Sequence, residues 1–194
     1  SIHDRKSHFF GSLVVIYNDD GEGQEHIIID GQQRVTTVSL LLLALIRSAQ
    51  DKGVPKSEID TEMIMNEYLV GKYTQENKIK LKPVKNDKQA FSRLFDDPDL
   101  SVPSNITRNY KFFLDSLSDK DAAELVGIYN AIKKLDVVEI RLKSGEDDPQ
   151  LIFESLNSTG LDLTEADKVR NFVLMNLKAS EQEKYYEKYW NKIE

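Results

Sequence analysis

One stretch limits the folds open to this chain more than any other: Ile27-Ile28-Ile29-Asp30-Gly31-Gln32-Gln33-Arg34. Three β-branched apolar residues in a row suit a buried strand. From Val35 to Ile46 nearly every residue is apolar or a small hydroxyl residue, with Val35, Val38, Leu41, Leu42 and Leu45 at helical spacing. Strand therefore becomes helix at Gly31. A helix start leaves backbone N–H groups without partners and carries positive dipole potential. A glycine there lets a ligand approach the backbone, which makes the turn a ready anion site. Asp30, Gln32, Gln33 and Arg34 crowd the same turn, and each polar group beside a core element needs a partner. The same residues also fit a plainer arrangement, with Asp30 as an N-cap and Gln32, Gln33 and Arg34 as a solvated first turn.

Composition narrows the setting. The 194 residues allow one large domain or a small domain with a helical subdomain. Hydrophobic content of 40% and charged content of 30% fit a globular protein with a sizeable core. The absence of cysteine excludes a disulfide framework, a cysteine zinc site and a thiol nucleophile, and fits a reducing cytoplasm. The polar start, Ser-Ile-His-Asp-Arg-Lys-Ser-His, is not a signal peptide. The Leu40 to Ile46 run is far shorter than the ~20 apolar residues that cross a bilayer. No membrane association and a cytoplasmic location are the expectations. The net charge of −7 argues against strong non-specific DNA binding. A local lysine cluster (Lys72, Lys78, Lys80, Lys82, Lys85, Lys88) reads as solvated surface. A first residue other than methionine and a last residue inside a helical pattern lead us to expect a piece of a longer protein.

In chain order, Phe9 to Tyr17 and Glu25 to Ile29 read as a hairpin around a turn at Asn18 to Gly23. His8 and His26 could approach each other across it, more as surface histidines than as a metal pair. After a break at Asp51 to Pro55, Ser57 to Val70 reads as a helix with a Ser57–Asp60 capping box. Lys78 to Lys82 alternates as a half-exposed strand does. Asp87 to Phe95, Ser104 to Leu117 and Lys120 to Leu135 read as helices, the last two with apolar stripes, and Val137 to Leu142 as a strand.

A second polar block follows. Pro149 to Leu156 reads as a helix with proline in its first turn and Gly160 beyond its end. Another helix starts at Thr164 with a Thr164–Asp167 capping box, and places Asp167, Arg170 and Asn171 within about one turn. From the residues alone, a well-capped helix–loop–helix accounts for this block.

Two sequence signatures carry a resemblance. Asp30-Gly31-Gln32-Gln33-Arg34, followed by Val-Thr-Thr and a leucine-rich helix, resembles the signature of the GmrSD-type family: ParB/sulfiredoxin-like domains of modification-dependent (type IV) restriction and phage-defence proteins. Phe153, Glu154, Leu156, Asn157, Gly160, Leu163, Asp167, Arg170 and Asn171 resemble that family's second signature, in the same order. A Tyr-Gln-Arg type motif usual before the family's hairpin is absent here, so part of the pocket is expected outside this chain. The resemblance implies an α+β, helix-rich fold: a small ParB/sulfiredoxin-like mixed sheet at the N-terminus with an all-helical subdomain. We expect a single domain spanning 1–194, with a hairpin–helix core at 1–50, a helical insertion at 51–135, and a strand plus C-terminal helices at 136–194.

The family is associated with hydrolysis of GTP or another nucleoside triphosphate, coupled to restriction of modified DNA. Carried onto this chain, the resemblance implies catalytic roles for Asp30, Gln32, Gln33 and Arg34. It implies nucleotide or phosphate binding by Gly31, Asn157, Gly160, Arg170 and Asn171, and Mg²⁺ on Asp30. The implied partners are a nucleoside triphosphate, DNA through the full-length protein, and a C-terminal nuclease domain or partner subunit. Two other readings stand beside it. One is a ParB-like phosphodiesterase that cuts DNA itself, and the other a non-catalytic sensing or assembly module in which Asp30 and Arg34 merely pair. No Gly-x-x-x-x-Gly-Lys-Ser/Thr occurs, so the chain has no P-loop.

Overall fold

The computed structural model describes residues 7–19, 24–71, 79–83, 86–96, 100, 103–143, 147–149, 151–152, 185 and 188–189. Strands β1 (His8–Asp19) and β2 (Gln24–Asp30) lead into helix α1 (Gln32–Asp51). Then come α2 (Thr61–Ile64), continued by a π-helical turn at Met65–Leu69, α3 (Asn86–Asp96), α4 (Asn105–Ser118), α5 (Ala122–Ile132) and strand β3 (Leu135–Leu142). The architecture is α+β and helix-rich, with a three-stranded mixed sheet in the order β2-β1-β3. The chain divides into two compact units: Ser1–Phe10 with Gln32–Asp136, and Gly11–Gly31 with Val137–Glu194.

The first unit is built around α1. Its C-terminal part is apolar on every side, and from Ser39 to Ala49 only Leu41 and Arg47 fall outside the buried set. A helix that is apolar all round has to be enclosed. Here α4 supplies the largest contact, joined by α2, its π-helical continuation and α5, while α3 packs on α4. Leu40, Ala44 and Leu45 are fully buried beside Phe91, Ile64 and Leu125. Of the expected stripe, Leu42 and Leu45 are buried, while Val35, Val38 and Leu41 are half-buried. Just past its end, Lys52 Nζ donates to the Ser118 carbonyl at 2.9 Å, placing a cation on the negative end of α4.

Three helix boundaries differ from the sequence reading, each through a local hydrogen bond. The Ser57–Val70 helix starts instead at Thr61, because Asp60 Oδ1 accepts from the Met63 N–H at 2.9 Å and serves as the cap. The Lys120–Leu135 helix is α5, shortened by an unforeseen capping box. Asp121 Oδ1 accepts from the Glu124 N–H at 2.8 Å, and Glu124 Oε2 from the Asp121 N–H at 2.9 Å. Leu135 already belongs to β3. Ser104 caps α4, accepting from the Thr107 N–H at 3.0 Å. Asp148 does the same ahead of Pro149, accepting from the Leu151 N–H at 3.3 Å.

The strand expected at Lys78–Lys82 forms no ladder. Among its described residues, Ile79 makes one isolated antiparallel bridge to Val70, and the Lys80 N–H donates to the Leu69 carbonyl. Val70 is extended at the end of the π-helical turn. The alternation itself is real: Ile79 and Leu81 pack on the core while Lys80 and Lys82 are exposed.

In the second unit, β1 and β2 pair antiparallel from Asp19↔Gln24 to Val14↔Asp30. His26 lies opposite Tyr17, so the proposed His8–His26 approach does not occur. Ile27 to Ile29 do not form a buried strand either. β2 is an outer strand of the sheet, Ile27 is 42% exposed, and Ile28 and Ile29 are half-buried.

The revised cap gives a discriminating test. Replacing Asp60 with alanine is expected to cost about 1 kcal/mol in urea-unfolding free energy, the usual worth of an N-cap. Replacing Ser57 should stay within about 0.5 kcal/mol, as for an exposed residue without a cap role. Equal losses from the two would restore Ser57 as the cap.

Candidate functional site

The Asp30–Arg34 segment has three structural peculiarities. The first is a β-bulge. Val15 pairs with Ile28, but Val14 pairs with Asp30, which leaves Ile29 as an extra residue on β2. Paired residues share a face and successive residues alternate. Asp30 therefore shares the face of Val14, while Ile28 and His26 lie on the face of Val15 and Tyr17. In an unbroken strand, residues 26, 28 and 30 would all share one side.

The second peculiarity is the connection. β2 ends at Asp30 and α1 begins at Gln32, so Gly31 alone joins them. Its φ is 92° and it is buried. That backbone angle is where L residues with a Cβ are strained. The capping position before Gln32 falls on Gly31, which has no side chain to occupy the first N–H groups.

The third is the charge at the helix start. The first turn of α1 carries no acidic residue. It carries Arg34 instead, at the end where a cation is disfavoured by about 0.3–1 kcal/mol. Arg34 is half-buried with its Nε out of solvent, while Gln32 and Gln33 are exposed. Asp30, Gln32 and Arg34 each take part in a polar or electrostatic interaction. Thr36 Oγ1 donates to the Gln32 carbonyl at 2.9 Å, back-bonding within the first turn.

The structure thus places Asp30, Gly31, Gln32, Gln33 and Arg34 together at one strand-to-helix turn. Asn157, Gly160, Arg170 and Asn171, and the expected Thr164–Asp167 capping box, lie outside the described residues. Among the described residues, no three His, Asp or Glu side chains converge to hold a metal ion. A Mg²⁺ ion commonly takes only one or two protein carboxylates and completes its shell with phosphate and water, so Asp30 alone is compatible with one. Among the described residues, no helix is long and apolar enough to cross a membrane.

The profile of the family described as the GmrSD restriction endonuclease, N-terminal domain, matches residues 1–174. The chain belongs to this family. No curated protein matches it. Membership places this GmrSD-type domain in DNA restriction and defence, in proteins that combine it with a nuclease part.

The backbone angle at Gly31 makes a direct prediction. Gly31→Ala should destabilise the protein by about 1–3 kcal/mol, the cost of holding a non-glycine residue in a sparsely populated region. It should appear as a lower urea midpoint at unchanged m-value. A neutral result would show that the turn relaxes freely.

Proposed function

We propose that the Asp30–Arg34 turn binds the phosphates of a nucleoside triphosphate, GTP among the candidates, and that the domain hydrolyses it with Mg²⁺ in support of DNA restriction. The observation that carries the reading is the helix start. Its N–H groups sit behind a glycine, it lacks the usual acidic first turn, and it holds an arginine instead. Each of these favours an anion.

The roles follow from chemistry. The N–H groups of Gly31 to Gln33 hold phosphate oxygens. Arg34 adds a planar fork of donors matched to phosphate geometry. Gln32 and Gln33, exposed on the first turn, position the attacking water or read the base. Asp30 orients that water. Its oxygen bonds to the γ-phosphorus as the bond to the bridging oxygen breaks, giving a nucleoside diphosphate, inorganic phosphate and a proton. Asp30 is also the carboxylate that would hold Mg²⁺, which when bound neutralises charge on the phosphate oxygens. Asn157, Gly160, Arg170 and Asn171 complete the phosphate and sugar contacts through the second family signature, Arg170 as a charge-neutralising group.

Phosphate release from GTP, ATP, CTP and UTP with Mg²⁺ tests this. Asp30→Ala and Arg34→Ala, each shown to be folded, should lower turnover by roughly 100-fold or more, the usual loss when one transition-state contact is removed. Arg34→Lys should recover only part of it, because an ammonium cannot reproduce the fork. Undiminished turnover in both alanine variants would move the chemistry elsewhere. Mg²⁺-dependent nicking of DNA without nucleotide turnover would favour the phosphodiesterase. Loss of stability in Asp30→Ala with neither activity in the parent would favour the assembly module, since both charged groups already have interactions.

A further inference from the structure

Strand β3 ends the order β2-β1-β3, and its outer side has no partner strand among the described residues. Its inner side is tied down. The His8 N–H donates to the Lys134 carbonyl at 2.7 Å, and the Arg141 guanidinium lies over the Tyr17 ring at 5.3 Å from its centroid. Tyr17 in turn stands across from His26 of β2, with ring centroids 4.3 Å apart, so one row of side chains spans all three strands. Toward the start of β3 the strand is bare. Asp136, Val137, Val138 and Glu139 are exposed in succession, Val137 to 44% and Val138 to 52%. Successive residues point to opposite faces, so nothing covers either face there. The eight residues hold no lysine, proline or glycine, the usual means of blunting an edge.

We propose that β3 pairs antiparallel with the β3 of a second copy of this chain, about a two-fold axis through Ile140. An edge strand beside exposed valines is a template for another strand, and the charges of β3 say which one. A two-fold axis that extends the sheet keeps each residue on its own face, so facing residues are an even number apart in sequence. With the axis at Ile140, Glu139 faces the partner's Arg141 and Arg141 faces the partner's Glu139. On the other face, Val138 lies opposite the partner's Leu142. Within one strand Glu139 already accepts from Arg141 Nε at 2.6 Å, and both side chains are exposed. Pairing two copies sets these four charges in a square whose neighbours all have opposite sign. An axis at Glu139 would instead bring two carboxylates face to face, and one at Val138 would set Asp136 against an isoleucine. The ladder ends at Leu142, because Asp147 Oδ2 takes the Lys143 N–H at 2.8 Å. An interface of one short strand pair is small, and two chains of net charge −7 repel at a distance, so the dimer is weak and exchanges readily. The pairing uses no residue of the Asp30 turn and does not depend on the nucleotide reading.

Sedimentation velocity of the whole chain over a concentration series tests the pairing. The parent should pass from monomer to dimer as concentration rises. Glu139→Arg and Arg141→Glu each place like charges opposite each other twice, and each should weaken dimerisation roughly tenfold or more. Val138→Lys, an edge lysine, should also weaken it. All three side chains are exposed, and circular dichroism confirms that the variants are folded. Mixing Glu139→Arg with Arg141→Glu sets an all-cationic pair against an all-anionic one, and should give a heterodimer that neither variant forms with itself. A parent chain that stays monomeric at every concentration, a dimer that tolerates both charge variants, or a mixture that fails to associate would each overturn the proposal.

Discussion

The enclosure of α1 is the constraint on which the helical unit depends. A helix whose side chains are nearly all apolar from Leu40 to Ile46 has no stable position at a surface, so α2, α4 and α5 gather around that stretch. Burying side chains such as Leu40 and Leu45 contributes about 1.5–3 kcal/mol each. Such a helix cannot rotate or slide without opening voids in close packing.

Against this rigid helix, the start of α1 is built contrary to ordinary helix preference. An acidic residue would be the stabilising choice and arginine the unfavourable one. Glycine at a capping position is tolerated, but serine or aspartate would add a side-chain acceptor there. Each departure is small, and stability alone does not select their combination. The start of α5 follows the ordinary preference, with Asp121 and Glu124 each accepting from the other's N–H.

Much of this was legible in the residues. The hairpin, α1, α3, α4 and β3 follow from periodicity, and the Asp30–Arg34 turn from the abrupt passage from a β-branched run through glycine to a leucine-rich helix. What escaped has local physical causes. The Asp121–Glu124 capping box stands in the sequence as Asp-x-x-Glu and starts α5 two residues past Lys120. The segment Lys78–Lys82 has the right alternation but, among its described residues, a single isolated bridge, and pairing is not a property of one segment. The extra residue at Ile29 leaves no mark in composition, because β-branched residues suit regular and bulged strands alike. The Arg141–Tyr17–His26 row depends on the pairing of three strands from distant parts of the chain.

The bulge has a further consequence for how charge is distributed over the sheet. By shifting Asp30 to the other side, it sets the carboxylate and His26 back to back rather than side by side. Four residues of strand separate them, about 13 Å of backbone. That exceeds the Debye length of about 8 Å at physiological ionic strength, so charge at one position is largely screened from the other.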